Sequence, residues 1–398
     1  MLEAPNSLFS IPIFFLFSAF SLTSGSTYNV LDYGAKSGGE IDSSKAFLDT
    51  WAAACTSTTS PLLYVPAGTF LLGSKTTFDG VDCKNSVTVQ IDGTLVAPSD
   101  YTVVGNDGNW IVFEQTNGIV LTGGTFDGRG ADLWSCKHAG NQCPVGATNL
   151  AFYDSNNIQI SGVTSVNSQI FHVIIQECTN VNIKGLTISA PGDSPNTDGI
   201  HLAKSSNVNV TGSTIATGDD CISISSGIYN VWIEDIQCGP GHGISIGSLG
   251  AEPNEEGVQN VTVKHCTIQE TLNGVRIKTW ARPSTSYVKQ VIFQNVTMVN
   301  AGNPIIIDQN YSPGSPDVGD SSGVEISGVT FQYIRGTSST KAAISINCSP
   351  SKPCWGITLQ DIDLTSGDQP AEVSCSNVYG SNVGTVVPAG CINKSIGK

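Results

Sequence analysis

Five short clusters between residues 196 and 312 carry side chains able to move protons or grip anions. They are Asn196-Thr197-Asp198, Gly218-Asp219-Asp220-Cys221, Gly241-His242-Gly243, Arg276-Ile277-Lys278 and Asp308-Gln309-Asn310-Tyr311. Asp198 to Asp219 is 21 residues, Asp219 to His242 is 23, His242 to Arg276 is 34 and Arg276 to Tyr311 is 35. If one step is one coil of a solenoid, the clusters stack on a single face, with neighbouring coils about 4.8 Å apart. The ladder then holds three carboxylates, an imidazole, two cations and a phenol.

Loop aspartates ordinarily hydrogen-bond their own turns. Asp198 and Asp219, one coil apart, instead converge, with Asp220 beside them, and like charges that close push at least one pKa upward. A carboxyl that stays protonated beside ionised ones is what a general acid needs. Grouped carboxylates are also the equipment of glycoside hydrolysis. His242 lies between glycines, which let a ligand approach the backbone. One coil above Asp219 it can hold the proton network or a sugar hydroxyl; the plainer alternative is a turn histidine. Arg276 and Lys278, at i and i+2 on a strand, share a face and suit a ligand carboxylate. Their plainer role is to neutralise the aspartates through salt bridges. Tyr311 can stack on a sugar or hydrogen-bond to it.

These clusters need a repeating scaffold, and one is visible. A turn residue followed by apolar-x-apolar recurs at Asn117, Asn157, Asn180, Asn207, Asn230, Asn260, Gln290, Gly323 and Gly356, in steps of 40, 23, 27, 23, 30, 30, 33 and 33 residues. A second strand-like triplet follows each phrase. Repeats of this length with strands and turns but no helix predict an all-β fold, a single-domain right-handed parallel β-helix. The period is too uneven for a propeller of equal blades, and the leucine-rich phrase is missing. Residues 42–55 predict one amphipathic helix, capped by Ser43 or Ser44, with Ala46, Phe47, Trp51 and Ala54 on one face. It reads as the N-terminal capping helix that covers the first coil. The β-helix is expected to run to about residue 365, with a covering tail beyond. Residues 128–149 are expected to form a loop overhanging one face.

Bulk properties agree. Among 398 residues only 13% are charged and 43 are glycine, which suits short strands and tight turns. The formal charge of −15 leaves no basic stripe for nucleic acid or an anionic membrane, so any anion recognition must be local. Residues 11–22 are apolar but too short to span a bilayer. With Ser24-Gly25-Ser26 behind them they read as a secretory signal over residues 1–26, although Glu3 and the lack of a basic residue ahead of them fit poorly. Residues 27–398 form the mature, soluble domain, expected to be a secreted monomer in the extracellular space or cell wall.

Twelve cysteines in a secreted chain imply disulfides. The short-range candidates are Cys55–Cys83, Cys136–Cys143, Cys221–Cys238, Cys348–Cys354 and Cys375–Cys391, leaving Cys178 and Cys266 as buried thiols. No CxxC spacing occurs, and neither a metal nor another cofactor is expected. Sequons stand at Asn209, Asn260, Asn295, Asn347 and Asn393; Asn310-Tyr311-Ser312 also satisfies the rule but adjoins the candidate site and is expected to be unmodified.

Taken in order, Asn196-Thr197-Asp198, Gly218-Asp219-Asp220, Gly241-His242-Gly243 and Arg276-Ile277-Lys278 resemble the motifs of the polygalacturonases, the pectin hydrolases of glycoside hydrolase family 28. The resemblance covers about residues 28–392. It implies a parallel β-helix that hydrolyses α-1,4 linkages of polygalacturonate with inversion, across carboxyls roughly 6.5–9.5 Å apart. On matching positions it makes Asp219 the general acid and Asp198 and Asp220 the groups that activate water. His242 supports the acid, and Arg276 and Lys278 bind the galacturonate carboxylate. Asn196 and Tyr311 join as substrate-binding residues. Phrases such as Asp32-Tyr33-Gly34-Ala35-Lys36 and Gly239-Pro240-Gly241-His242-Gly243 resemble the plant pollen-type exo-acting members, with endo action the alternative. A pectate lyase would need a calcium-binding acidic cluster and an arginine base. An inactive pectin-binding β-helix would have no use for a general acid.

Overall fold

The computed structural model describes residues 25–312, 321–367 and 369–394. The signal expected over residues 1–26 lies almost wholly outside them. Short parallel strands pair rung upon rung into two long sheets of 21 and 11 strands among the described residues. In the 11-stranded sheet the strands follow one another in chain order from Thr76–Asp79 to Glu372–Ser376. The chain is a right-handed parallel β-helix, as its periodicity predicts.

Alternation along each strand builds the interior. Ile222, Ile244, Val275 and Ile305 are register partners on successive rungs, as are Ile224, Ile246, Ile277 and Ile307. All eight are fully buried, and burying each such side chain is worth roughly 1.5–3 kcal/mol. Aromatic rungs stack in the same way, with Phe78, Phe113 and Phe152 separated by 4.8 and 5.2 Å.

The recurring asparagines have a physical reason. Asn157, Asn180, Asn207, Asn230 and Asn260 all sit at φ between 56° and 59°, a left-handed turn that asparagine tolerates. Their amides form a ladder: Asn180 donates to Asn157, Asn207 to Asn180 and Asn230 to Asn207, each at 3.1 Å. One repeat is misplaced by sequence pattern alone. Val291 pairs with Val329, and Thr330 with Thr358, so the turn position is Gly328, at φ 64°, and not Gly323.

The helix Ser44–Cys55 closes the N-terminal end, with Phe47 and Trp51 packed on Phe70, Phe78 and Phe113. Its cap differs from expectation. Ser43 is the N-cap residue but makes no side-chain cap bond. Asp42 Oδ1 instead accepts from the Ser44 amide at 2.9 Å and from Gly73 N at 2.8 Å. A short helix, Thr102–Gly105, was not expected. Residues 128–149 are not all loop, for Ala131–His138 is helical and buries Leu133 and Trp134. The tail is no separate cover. Glu372–Ser376 and Val378–Val387 add another coil by parallel pairing, hidden in the sequence because so few of their side chains are buried.

All five expected disulfides form. Cys178 and Cys266 remain buried thiols, which burial pushes up to about 11 and about 12. Among the described residues no helix is long and apolar enough to cross a membrane.

Candidate active site

Register converts sequence spacing into height. Ile200 pairs with Ile222 and Ile222 with Ile244, so Asp198, Asp220 and His242, each two residues earlier, stand one above another. The turns are locked together by backbone bonds. Gly199 N reaches Asp220 O at 2.9 Å, His242 N reaches Asp219 O at 2.8 Å and Cys221 N reaches Gly243 O at 2.8 Å. Thr197 Oγ1 accepts from Gly218 N at 3.0 Å and lies 2.7 Å from Ser194 Oγ. Gly218 must be glycine, since a Cβ there would meet Ser194 O at 2.0 Å. The buried Cys221–Cys238 bridge joins the turn after Asp220 to the strand before His242, and so fixes their relative height.

Six of the eight expected residues share one cleft of about 240 Å³. Asn196, Asp198, Asp219, Asp220, Lys278 and Tyr311 line it. His242 reaches it through Asp219, with Nδ1 at 3.0 Å from Asp219 Oδ1. Asn196 Nδ2 lies 3.5 Å from Asp219 Oδ2. A larger groove, about 540 Å³, lies on the other sheet around Trp232 and contains no titratable residue.

The two cations behave differently from each other. Asp220, 1% exposed, accepts from Arg276 Nη2 at 2.8 Å on Oδ1 and from Lys278 Nζ at 2.9 Å on Oδ2. Arg276 Nε also donates to Ser245 Oγ at 2.9 Å, and Ser245 donates to Asp220 Oδ1 at 2.7 Å. Arg276 is thus turned onto the protein's own carboxylate. Lys278 also lines the cleft, 5.3 Å from the centre of the Tyr311 ring, which packs edge-on against Trp280. Its ammonium keeps two N–H groups beyond the one given to Asp220.

The acidities separate as grouped carboxylates must. Burial, then the charges of Asp219 and Asp220, push Asp198 well above the ordinary carboxylate range. Burial also pushes Asp219 upward, but the hydrogen bond and charge of His242, with Lys278 adding to them, outweigh it and hold this carboxyl low. The raised carboxyl expected of the cluster is therefore Asp198 and not the proposed acid, Asp219.

Sequence reasoning missed His201, Phe171, Ser223 and Ser245. His201 lines the cleft, stacks on Phe171 at 4.7 Å and meets Ser223 Oγ at 2.8 Å. Burial lowers its pKa to about 4. Ser245 is fully buried between Asp220 and Arg276. The signal was parity: His201, Ser223, Ser245 and Arg276 are register partners, so all four face outward.

The ligand atoms of Asp219, Asp220 and His242 lie within 4.8 Å of one another, close enough to hold a cation. The residues fit one poorly, because Arg276 and Lys278 already occupy both oxygens of Asp220.

Two buried carboxylates and the half-buried Asp219, with Asp198 raised and Asp219 lowered in pKa, set in an open cleft on a β-helix, define a glycoside hydrolase of the solenoid type. The model of the family described as glycosyl hydrolases family 28 matches residues 55–389, and the chain belongs to that family. It is 53% identical over 392 residues to a polygalacturonase of Prunus persica, covering 97% of this chain and 99% of that one. It is 44% identical over 341 residues to an exopolygalacturonase of Arabidopsis thaliana, covering 85% and 78%. The crystal structure of an endo-xylogalacturonan hydrolase from Aspergillus tubingensis has the same fold, with a TM-score of 0.76 at 22% identity, covering 91% of this chain and 100% of that one.

Proposed function

We propose that the protein is a secreted polygalacturonase, hydrolysing the α-1,4 linkages of polygalacturonate in pectin with inversion and releasing galacturonate from chain ends. The observation that carries this reading is Lys278, a cation anchored by Asp220 at 2.9 Å yet lining the same cleft as the three aspartates. An anionic sugar held there lies beside an acid and a base. The polygalacturonase from Prunus persica and the exopolygalacturonase from Arabidopsis thaliana support the substrate class.

Asp219 protonates the glycosidic oxygen while Asp198 and Asp220 take the proton of the attacking water. His242 orients Asp219, Arg276 holds Asp220, and Asn196 and Tyr311 contact the sugar. In the free protein Asp219 is held low. A galacturonate carboxylate in the cleft adds negative charge and expels water, and both raise Asp219 toward its acid form. Asp198 must ionise before it accepts a proton, so its raised pKa sets the acidic limb of the pH profile.

Exo action is supported by the Ala131–His138 insertion. The Cys136–Cys143 bridge fastens it, and a ring nitrogen of His138 lies 3.0 Å from Asp193 O, in the turn leading to Asn196 and Asp198. Secretion is supported by the five disulfides.

The test is a time course of polygalacturonate digestion, following product size, viscosity and the anomer first released. Monogalacturonate from the start, slow viscosity loss and an inverted anomer are expected. A rapid viscosity drop with a ladder of oligomers establishes endo action. Binding without new reducing ends would leave a pectin-binding protein.

A further inference from the structure

We propose that Asn209 is an N-glycosylation site whose first N-acetylglucosamine rests on the ring of Trp232; the inference depends on the secretory reading above. Asn209-Val210-Thr211 satisfies the acceptor rule, as do the other sequons. The structure separates them.

Asn209 lies on the strand Ser206–Thr211, where Val208 and Val210 point inward and are buried. Asn209 therefore faces outward. Its register partner on the next rung is Trp232, 41% exposed. Both line the groove of about 540 Å³, with Asn207, Asn230, Asn260 and Thr262 around them. An aromatic face rimmed by amides and hydroxyls is what a sugar ring fits, with its C–H face on the indole and its hydroxyls at the rim. The indole is held in place: Nε1 donates to Glu234 Oε2 at 2.8 Å, and Lys264 Nζ lies 4.4 Å from the ring centre.

The amides of the sequons differ in what they already do. Asn260 Nδ2 donates to Asn230 Oδ1 within the asparagine ladder. Asn295 Nδ2 lies 3.2 Å from His265 Nε2. Asn209 Oδ1 is buried without a partner, a costly condition for a carbonyl oxygen. A glycan on Asn260 would have to displace a rung of the ladder.

The transfer uses a lipid-diphosphate-linked oligosaccharide during secretion. Asn209 Nδ2 attacks C1 of the terminal N-acetylglucosamine. The C1–N bond forms as the C1–O bond to diphosphate breaks, the amide loses one proton, and the lipid diphosphate leaves with the bonding pair.

The test is secretion of the full chain from a yeast host, followed by glycopeptide mass spectrometry and thermal unfolding. The peptide bearing Asn209 is expected to be occupied and that bearing Asn260 bare. Amidase removal of the glycan, which leaves an aspartate in place of Asn209 in both proteins, is expected to lower Tm by about 1–2 °C more in the wild type than in Trp232→Ala. A secreted chain with a bare Asn209 overturns the proposal alone. A chain retained in the cell without glycan overturns the secretory reading and the proposal together. An occupied Asn209 whose deglycosylation changes Tm equally in both proteins overturns the seat on Trp232.

Discussion

Ser245→Ala tests whether the buried charge network does more than hold the fold. The hydroxyl donates to Asp220 Oδ1 at 2.7 Å and accepts from Arg276 Nε at 2.9 Å, and the residue is fully buried. Alanine removes two hydrogen bonds to charged groups, worth roughly 1.5–3 kcal/mol each, and leaves the Arg276 Nε–H without its acceptor. The direct contacts of Arg276 and Lys278 to Asp220 survive, so the full sum is not lost. The expected cost is about 2–4 kcal/mol, read as a lower guanidinium midpoint at unchanged slope. Catalysis should suffer separately. Asp220 loses one of its three side-chain donors and can shift, and a displacement approaching 1 Å costs on the order of 100-fold in kcat. KM should hold, because Ser245 does not line the cleft. A stability loss with unaltered kcat would make the hydroxyl structural only, and no stability loss would refute the argument from buried charge.

Three further outcomes can be checked. Asp219→Asn should cut kcat by about 10²–10⁴-fold while polygalacturonate still binds, since protonation is lost and Lys278 is kept; near-normal turnover would remove Asp219 from the acid role. Lys278→Ala should raise KM for polygalacturonate more than it lowers kcat, and wild-type handling of the polymer would exclude Lys278 from carboxylate recognition. Asp198→Asn should abolish turnover yet stabilise the fold. The folded pKa of Asp198 lies above its ordinary 3.8, so the stability it contributes is complete below 3.8 and is lost as pH rises through the folded value. Asparagine never ionises, so the variant's midpoint should exceed the wild type's near about pH 7 and match it below about pH 3; equal midpoints at both would contradict a buried, crowded carboxyl.

Much of this geometry was legible because a β-helix has a fixed rise per coil. Spacing along the chain becomes height, and Asp198, Asp220 and His242 fall into one column once Ile200, Ile222 and Ile244 are in register. The missed residues look ordinary in one dimension. Ser245 is a serine between two isoleucines, and only its pairing with Arg276, 31 residues away, marks it as facing the site. Gly323 and Gly328 both open an apolar-x-apolar phrase, and what decides between them is the left-handed turn that Gly328 alone adopts. Nor does spacing reveal the partner of a side chain. Arg276 and Lys278 face the ligand side as expected, yet both reach back two coils to Asp220.

That reach resolves a difficulty raised by the net charge. A chain at −15 should repel a polyanion. Within the cleft the balance is different. Arg276 and Lys278, both paired with Asp220, set two positive charges against the three carboxylates, and the raised Asp198 keeps its proton until the pH exceeds its shifted value. The cluster is then close to neutral before His242 is counted. The cations that neutralise the aspartates and the cation that meets the substrate are thus not alternatives: Lys278 serves both ends. Asp220 holds the ammonium in place, and the cleft side of the same ammonium faces the incoming carboxylate.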